Sequence, residues 1–505
     1  MDLSTEKVRY GVVFTPTQRT AIKDTLTWMK NPSLPLTRTI QGAAGTGKST
    51  IVSAILDQSG MGNSIAVTAP THKAVGVISN MTGKTGMTIQ KLLGLRPNIN
   101  IEDFDPNNLK FAKLGQQHIE NYKVVCIDEC SMIGKSALNF IESTARKYGT
   151  KVLYIGDHLQ LPPVGEDFSY TFNKDKSILY EIVRQEKDNP LNIPLSILRY
   201  SLESTPYNKE LVVDIMKHFN IPIATINTVL ACNKYYMIDA FFRSCTNMTQ
   251  EDKGFILHRT SVKTEKEEYG VKLIDKFKEV LETRAFNDVR FLAYKKNTVE
   301  AWNKAIRNKL FPNVKDIIIP GDLLIGEETV VDEYNMPIIY NSDDYLVSNV
   351  EPYTNSLDLK GYITTLSTTF GNDTPVPVFL IDMADKESVR GYKGIYENLL
   401  DNAINANPSL KSSEFSKFFD FKRNNILINT IMKDDEKQVF SKKSLDYGYC
   451  MTIHKSQGST YKEVFVNVND IFLTSYGTKI KNTIFRNKLL YVALSRAKNK
   501  ATLYI

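Results

Sequence analysis

The 505-residue chain has 42% hydrophobic and 24% charged residues, the balance of a globular protein rather than a disordered one, and its length calls for about two to four domains. A net charge of +7 is compatible with a nucleic-acid partner but, spread over so long a chain, does not require one. Five cysteines without metal-ligand spacing, an N-terminus unlike a signal peptide and no apolar run near ~18 residues argue against a disulfide framework, a zinc module or a membrane span, and for a reducing cytoplasmic compartment.

In chain order, Arg38–Gln41 reads as a short strand that runs into Gly42-Ala43-Ala44-Gly45-Thr46-Gly47-Lys48-Ser49, followed by Thr50. Glycines at these positions let the backbone turn tightly and aim its N–H groups at phosphate oxygens. Lys48 can reach the β/γ-phosphates, and the Ser49 hydroxyl can ligate Mg²⁺. The helix expected from Lys48 adds its positive dipole end. This segment predicts binding of a nucleoside triphosphate.

Ser64–Thr68 is the next expected strand, ending in Ala69-Pro70-Thr71-His72-Lys73. Residues 86–122 interrupt the pattern: Arg96-Pro97 through Leu109 are rich in turn formers and read as a hairpin or projecting loop. Lys123–Ile127 is apolar and reads as a buried parallel strand, ending in Asp128-Glu129. An acid there can hold Mg²⁺ beside the phosphate loop while its neighbour activates water, which makes Asp128 the metal residue and Glu129 the general base. Cys126 and Cys130 read as small buried residues. Lys151–Ile155 ends in Gly156-Asp157, followed by His158-Leu159-Gln160-Leu161-Pro162-Pro163. Gln160 can sense the γ-phosphate or position water. Phe168 and Tyr170, just after this motif, could stack bases but are expected rather to pack in the core, and Arg184 falls at a helix or strand end.

A second α/β region is expected from Val289–Tyr294, Glu463–Val468, the helical run Leu489–Arg496 and a closing strand, Ala501–Ile505. Between its parts, Gly321–Gly326, Glu328–Val331, Pro337–Tyr340 and Tyr345–Val350 read as short strands of a small antiparallel barrel, with a polar helical stretch over Tyr396–Arg423. An arginine from the second lobe reaching the γ-phosphate, such as Arg496, would stabilise transition-state charge and couple hydrolysis to lobe closure.

From Gln18 to Arg496 these segments, in this order, resemble the superfamily-one DNA helicases, most closely the RecD-like and Dda-like branch. Carrying the resemblance are Thr17-Gln18, Gly42–Ser49, Ala69–Ala74, Thr88–Leu92 (with Gln90 where the family often has His), Asp128-Glu129, Gly156–Pro163, Arg184, Met451–Gly458 and Tyr491–Arg496. It implies an α/β fold of two RecA-like P-loop NTPase lobes. The first would span 1–85 and 123–190 with a pin insertion over 86–122, and the second 191–310 and 445–505 with an SH3-like barrel and helical subdomain over 311–444. It implies ATP and Mg²⁺, with Gln18 reading adenine, Gln160 and Gln457-Gly458 coupling the γ-phosphate to DNA, and Arg184 and Arg496 completing the transition-state clamp. Pro70, Thr71, His72 and Lys73 would grip the strand from the first lobe, and Thr452, His454 and Lys455 from the second. Phe104 is the candidate pin tip and Phe111 the alternative. The implied partners are single-stranded and forked duplex DNA, with single-strand-binding or replication proteins beside them. The implied chain is monomeric, free of the membrane, in the cytoplasm (a host's, if phage-encoded) and moves 5′-to-3′. An RNA helicase on the same scaffold, or an ATP-driven switch that displaces proteins, are the alternatives.

Overall fold

A computed structural model of the chain describes residues 13–95, 115–183, 188–204, 207–334, 336–369, 374–432, 439–474 and 477–505. They fall into two compact units, one drawn from residues up to Lys276, from Asn287–Val299 and from Met451–Ile505, the other from Phe277–Phe286 and Glu300–Cys450.

The first unit opens with helix α1 (Pro16–Lys30), whose start is fixed by a Thr15/Gln18 capping box with Pro16 in the first turn. Strands β1 (Thr37–Gly42), β2 (Ile65–Ala69), β3 (Met87–Thr88), β4 (Val124–Ile127), β5 (Lys151–Gly156) and β6 (Lys176–Leu179) then form a parallel sheet in the order β3-β2-β4-β5-β1-β6. The period of two is visible in what each face buries. Val124, Cys126, Leu153 and Ile155 point into one core with Ile22, Trp28, Ile51 and Ile55. Val125, Ile127, Val152 and Tyr154 point into the other with Ile89, Leu92, Ile133 and Ile141. Burial on both faces explains why these strands read as unbroken apolar runs. The helices covering the sheet are α2 (Lys48–Ser59), α3 (His72–Thr82), α4 (Ile89–Leu93) and α5 (Lys135–Tyr148).

The described part of the interruption expected over 86–122 belongs to this layer. Met87-Thr88 pairs with β2, and Leu92, Leu93, Leu95 and Ile119 are buried in the second core, so only 96–114 lie outside the described residues. Burial pushes the Cys126 thiol up to about 12, as suits a cysteine that packs rather than reacts.

After four helices, α6 (Asn192–Leu202), α7 (Lys209–His218), α8 (Ile223–Leu230) and α9 (Met237–Ser244), come β7 (Met248–Gln250), β8 (Lys253–His258), α10 (Lys263–Thr283), β9 (Val289–Ala293) and α11 (Lys296–Leu310). The second unit supplies β10 (Leu323–Gly326), β11 (Val330–Val331), β12 (Pro337–Ile339), β13 (Asp344–Thr354), β14 (Lys360–Thr368), β15 (Val376–Ile381), α12 (Lys386–Asn405), α13 (Lys411–Asn424), β16 (Ile431–Met432), β17 (Val439–Ser441) and β18 (Leu445–Tyr447). The chain closes with β19 (Cys450–Thr452), β20 (Tyr461–Asn467), α14 (Val468–Phe472), α15 (Thr483–Ser495) and β21 (Ala497–Tyr504). The second sheet has the order β19-β9-β20-β21-β8-β7; β9, β20, β21 and β8 run parallel and β7 is an antiparallel edge.

In the second unit β15-β14-β13-β10-β18 form an antiparallel sheet whose outer strands, β15 and β18, are not paired with each other among the described residues. The expected barrel is thus an open sheet here. Its largest hairpin, β13–β14, carries a bulge at Val347/Asn349. The helical stretch is less polar than expected: α12 and α13 bury Tyr392, Phe418 and Phe421. Under this sheet Asp322 is fully buried and accepts from Arg307 Nε and Nη2 at 2.8 Å each, from Ile319 N at 2.9 Å and from Tyr449 Oη at 3.1 Å. Removing one partner of such a pair strands the other charge. Asp322→Ala is therefore expected to destabilise this unit by about 3–5 kcal/mol, read as a lower denaturant midpoint; an unchanged midpoint would contradict this account.

Candidate nucleotide site

The carboxyl ends of β1, β2, β4 and β5 converge, as ligand-bearing edges of open parallel sheets do. Beyond them lies a cleft of about 400 Å³ lined by Gln18, Gly45, Gly47, Lys48, Ser49, Thr50, Asp128, Glu129 and Gln160 from the first sheet's side, and by Gly458, Ser459, Thr460 and Arg496 from the second's. Gly45 and Gly47 have φ of 86° and 78°, left-handed values that a side chain would strain. At Gly42 a Cβ would stand 2.5 Å from Thr46 Oγ1. Gly47 is the N-cap of α2 and offers no side chain to its first N–H groups, which leaves them for an anion. Lys48 Nζ donates to the carbonyls of Gly42 at 2.9 Å and Ala43 at 3.1 Å, and the buried Thr46 hydroxyl donates to Ala43 O at 2.9 Å.

At the end of β4, Asp128 Oδ1 accepts from Glu129 N at 2.9 Å. Burial, reinforced by the Glu129 charge and opposed by Lys48, pushes the Asp128 carboxyl up to about 7. Glu129 has φ of 51°, rare for a residue with a side chain, and its Oε2 is buried without a hydrogen-bond partner. A strained turn that holds two acids beside a lysine and a serine hydroxyl suits a hard divalent cation, whose charge would relieve both burdens.

Gln457 Nε2 donates to Gln160 Oε1 at 3.4 Å, so the two coupling glutamines meet. Gly458, at φ 75°, passes so close to the first lobe that a Cβ would lie 3.3 Å from Ala74 Cβ and 3.7 Å from Glu129 Cγ. Arg496 lines the cleft with its guanidinium tethered to Val492 O, Ser459 O and Ser495 Oγ. Gln18 caps α1 and donates from Nε2 to Thr46 O at 2.9 Å, lying over the phosphate loop. Arg184 lies outside the described residues; the segment leading to it is anchored where Val183 N donates to Gly45 O at 2.8 Å. Phe104 and Phe111 also lie outside them.

The strand-contacting set is divided. Pro70 is buried, and Thr71 Oγ1 caps α3 by accepting from Ala74 N at 3.2 Å. Thr452 Oγ1 likewise accepts from Lys455 N at 3.3 Å. Lys73, expected to face the strand, is instead 7% exposed and donates to Tyr461 Oη at 3.3 Å. It sits at the first turn of α3 where the second lobe's β20 begins, so burial turns it into a contact between the lobes. Phe168, expected in the core, is 44% exposed with its ring 4.6 Å from Tyr170; the buried side chains of that loop are Ser169 and Thr171. Sequence reasoning also passed over Arg199, Tyr461 and the hydroxyl of Tyr491. A lone arginine inside the apolar run Pro194–Leu202 was the signal available for Arg199.

A phosphate loop on one parallel sheet, facing a second α/β lobe that closes the same cleft, defines a two-lobed P-loop nucleoside triphosphatase. The comparisons narrow this further. A family model described as AAA domain matches residues 13–194, and one described as UvrD-like helicase C-terminal domain matches 447–504. An uncharacterized protein of Acanthamoeba polyphaga mimivirus is 22% identical over 483 residues, covering 91% of this chain and 93% of that protein. The ATP-dependent DNA helicase dda of Enterobacteria phage T4 is 25% identical over 305 residues, 59% of this chain and 58% of that protein. The ATP-dependent RecD2 DNA helicase of Deinococcus radiodurans is 36% identical over 126 residues, 25% of this chain and 16% of that one. Among solved structures, a Pif1 helicase from Bacteroides in complex with ADP-AlF3 and ssDNA overlaps 97% of this chain and 92% of its own, at 17% identity and a TM-score of 0.47. The two family models and the likeness to the Dda and RecD2 helicases together support a superfamily-one helicase of the RecD and Dda type.

Gly47→Ala would force a side chain to φ 78° and within 2.6 Å of Gln18 Nε2. At a strain of about 1–3 kcal/mol, nucleotide affinity should fall roughly tenfold or more, measured by titrating a fluorescent ATP analogue; wild-type affinity would count against this geometry.

Proposed function

We propose that this helicase moves 5′-to-3′ along a single DNA strand and separates duplex ahead of it, each step driven by ATP hydrolysis in the cleft. The observation that carries the reading is that both lobes supply the cleft: Lys48, Glu129 and Gln160 on one side, Gly458 and Arg496 on the other, with Gln160 and Gln457 in contact. A site shared in this way works only when the lobes are together, so the nucleotide state sets lobe position. The direction rests on the resemblance to the RecD-like and Dda-like branch.

In this reading Lys48 and the N–H groups at the start of α2 hold the β/γ-phosphates. Ser49 and Asp128 would hold Mg²⁺, which would supply positive charge to the phosphate oxygens. Glu129, with Oε2 free in the cleft, orients and deprotonates the attacking water. Gln160 and Gln457 pass the state of the γ-phosphate to the strand-contacting segments, and Arg496, with Arg184, balances charge in the transition state. Gln18 reads adenine with the amide hydrogen its fold contacts leave over. Pro70, Thr71 and His72 grip the strand from one lobe, and Thr452, His454 and Lys455 from the other, chiefly through its backbone.

Two duplexes, one with only a 5′ single-stranded tail and one with only a 3′ tail, test the direction with ATP and Mg²⁺. Unwinding of the first alone is expected; unwinding of the second alone would reverse the direction. Strand-stimulated hydrolysis without any unwinding would favour protein displacement or RNA. Lys48→Ala should abolish hydrolysis, while single-strand binding at low salt survives in a filter-binding assay; retained hydrolysis would remove Lys48 from the site.

A further inference from the structure

The segments that carry Lys48, Gln160 and Arg496 meet at one oxygen atom. Ala44, four residues before Lys48, donates its N–H to the Tyr491 hydroxyl at 2.8 Å. Tyr491, on α15 and five residues before Arg496, donates its own proton to Asp157 Oδ2 at 2.8 Å. Asp157 is 0% exposed, and it builds the turn to Gln160: its Oδ1 accepts from Leu159 N at 3.0 Å and its carbonyl from Gln160 N at 3.2 Å. A phenol has one proton, so with Ala44 donating to it, the proton must go to Asp157. Burial, and the Asp157 charge beside it, hold the phenol well above its ordinary ionisation range, so the oxygen keeps that proton.

The other side of Ala44 is also held from beyond the first sheet. Arg199, 3% exposed on α6, donates from Nη2 to the Ala44 carbonyl at 3.3 Å, while its Nε lies buried without a hydrogen-bond partner. His158, next to Asp157, meets the Glu203 carboxylate at the end of α6. Both backbone polar groups of one phosphate-loop residue, in the two peptide units that flank its Cα, are thus fixed by side chains of helices that pack on each other, α6 and α15. Neither Tyr491 nor Arg199 lines the nucleotide cleft.

We infer that Tyr491 and Arg199 are positioning residues that set the phosphate loop's conformation according to the place of the second lobe. Movement of α15 and α6 releases or restores the two peptide units that flank Ala44, and through them the aim of the loop's N–H groups and of Lys48. The inference rests on the cleft being the ATPase centre.

The test measures ATP hydrolysis by the full chain, with and without an oligothymidine single strand, for the wild type, Tyr491→Phe, Arg199→Gln and the double variant. Tyr491→Phe keeps the ring and removes the oxygen. Its rate at saturating ATP with the oligonucleotide should fall about tenfold, with the half-saturating ATP concentration changed less than about threefold. Stimulation by the strand should be largely lost. Because both side chains act on Ala44, the double variant should be no slower than the worse single one. Fold-changes that multiply, or a Tyr491→Phe protein stimulated like the wild type, would overturn the inference. Should thermal unfolding show that Tyr491→Phe does not fold, Arg199→Lys, which keeps a cationic donor, should recover part of what Arg199→Gln loses; equal losses would overturn it. A stimulated wild type beside an equally stimulated variant defeats this inference alone, whereas a wild type that hydrolyses no ATP defeats the reading beneath it too.

Discussion

Two adjacent acids at the end of a strand buried on both faces set the electrostatic constraint around which this cleft is built. Asp128 and Glu129 leave β4 where water is largely excluded, and the Glu129 charge adds to burial in raising the cost of charging Asp128. Between the two, the backbone takes Glu129 through a left-handed turn, with φ of 51°. Lys48 and the uncapped N–H groups of α2 supply part of the opposing positive potential, which is why a phosphate loop after β1 and an acid pair after β4, with β5 between them, make sense at the same edge of one sheet. A phosphate alone would worsen the imbalance; a phosphate with a divalent cation would not.

The second lobe's approach follows from the same constraint. Gly458 takes a left-handed φ of 75° that a side chain would strain, and a Cβ there would press against Ala74 of the first lobe at 3.3 Å. Gln457 reaches Gln160, Tyr461 takes the amine of Lys73, and Tyr491 reaches Asp157. These contacts are polar and buried, so separating the lobes exposes each group to water rather than leaving it unpaired. Such an interface can open at modest cost, whereas an apolar seam of equal size would resist opening.

What was legible in the sequence tracks how local its cause is. The first sheet's strands could be read because parallel strands covered on both faces are short apolar runs ended by polar turns, as at Ile127-Asp128 and Ile155-Gly156-Asp157. The phosphate loop was legible for a backbone reason, since its glycines occupy left-handed positions. Strand β14 went unread because threonines dilute its few apolar residues, and β15 was passed over although Val378 and Leu380 enter one core and Phe379 and Ile381 another, because Pro377 interrupts its apolar run. Helices α6 to α9 carry no motif, so Arg199 could be given a role only once α6 was seen against Ala44. The surroundings of Lys73 were illegible for a related reason: whether a lysine near the start of a helix faces water or a neighbouring lobe depends on a strand nearly 400 residues away.

The two histidines of the proposed strand grip complete the electrostatic account. Burial, with Lys91 adding to it, brings His72 down to about 4, and burial with Lys296 beside it lowers His454. At neutral pH His72 therefore offers a neutral donor or a ring face rather than a charge. His454, tilted 31° against Tyr294 at 6.1 Å and 6.5 Å from Phe485, is likewise better placed to present a ring. The lysines that depress these two histidines, Lys91 and Lys296, are both exposed. In the proposed grip, charge for the phosphate backbone would come from solvated lysines, and shape from neutral rings. A translocating grip needs that division, because screened lysines release a phosphate at little cost while the fixed rings and caps define where the next one lands.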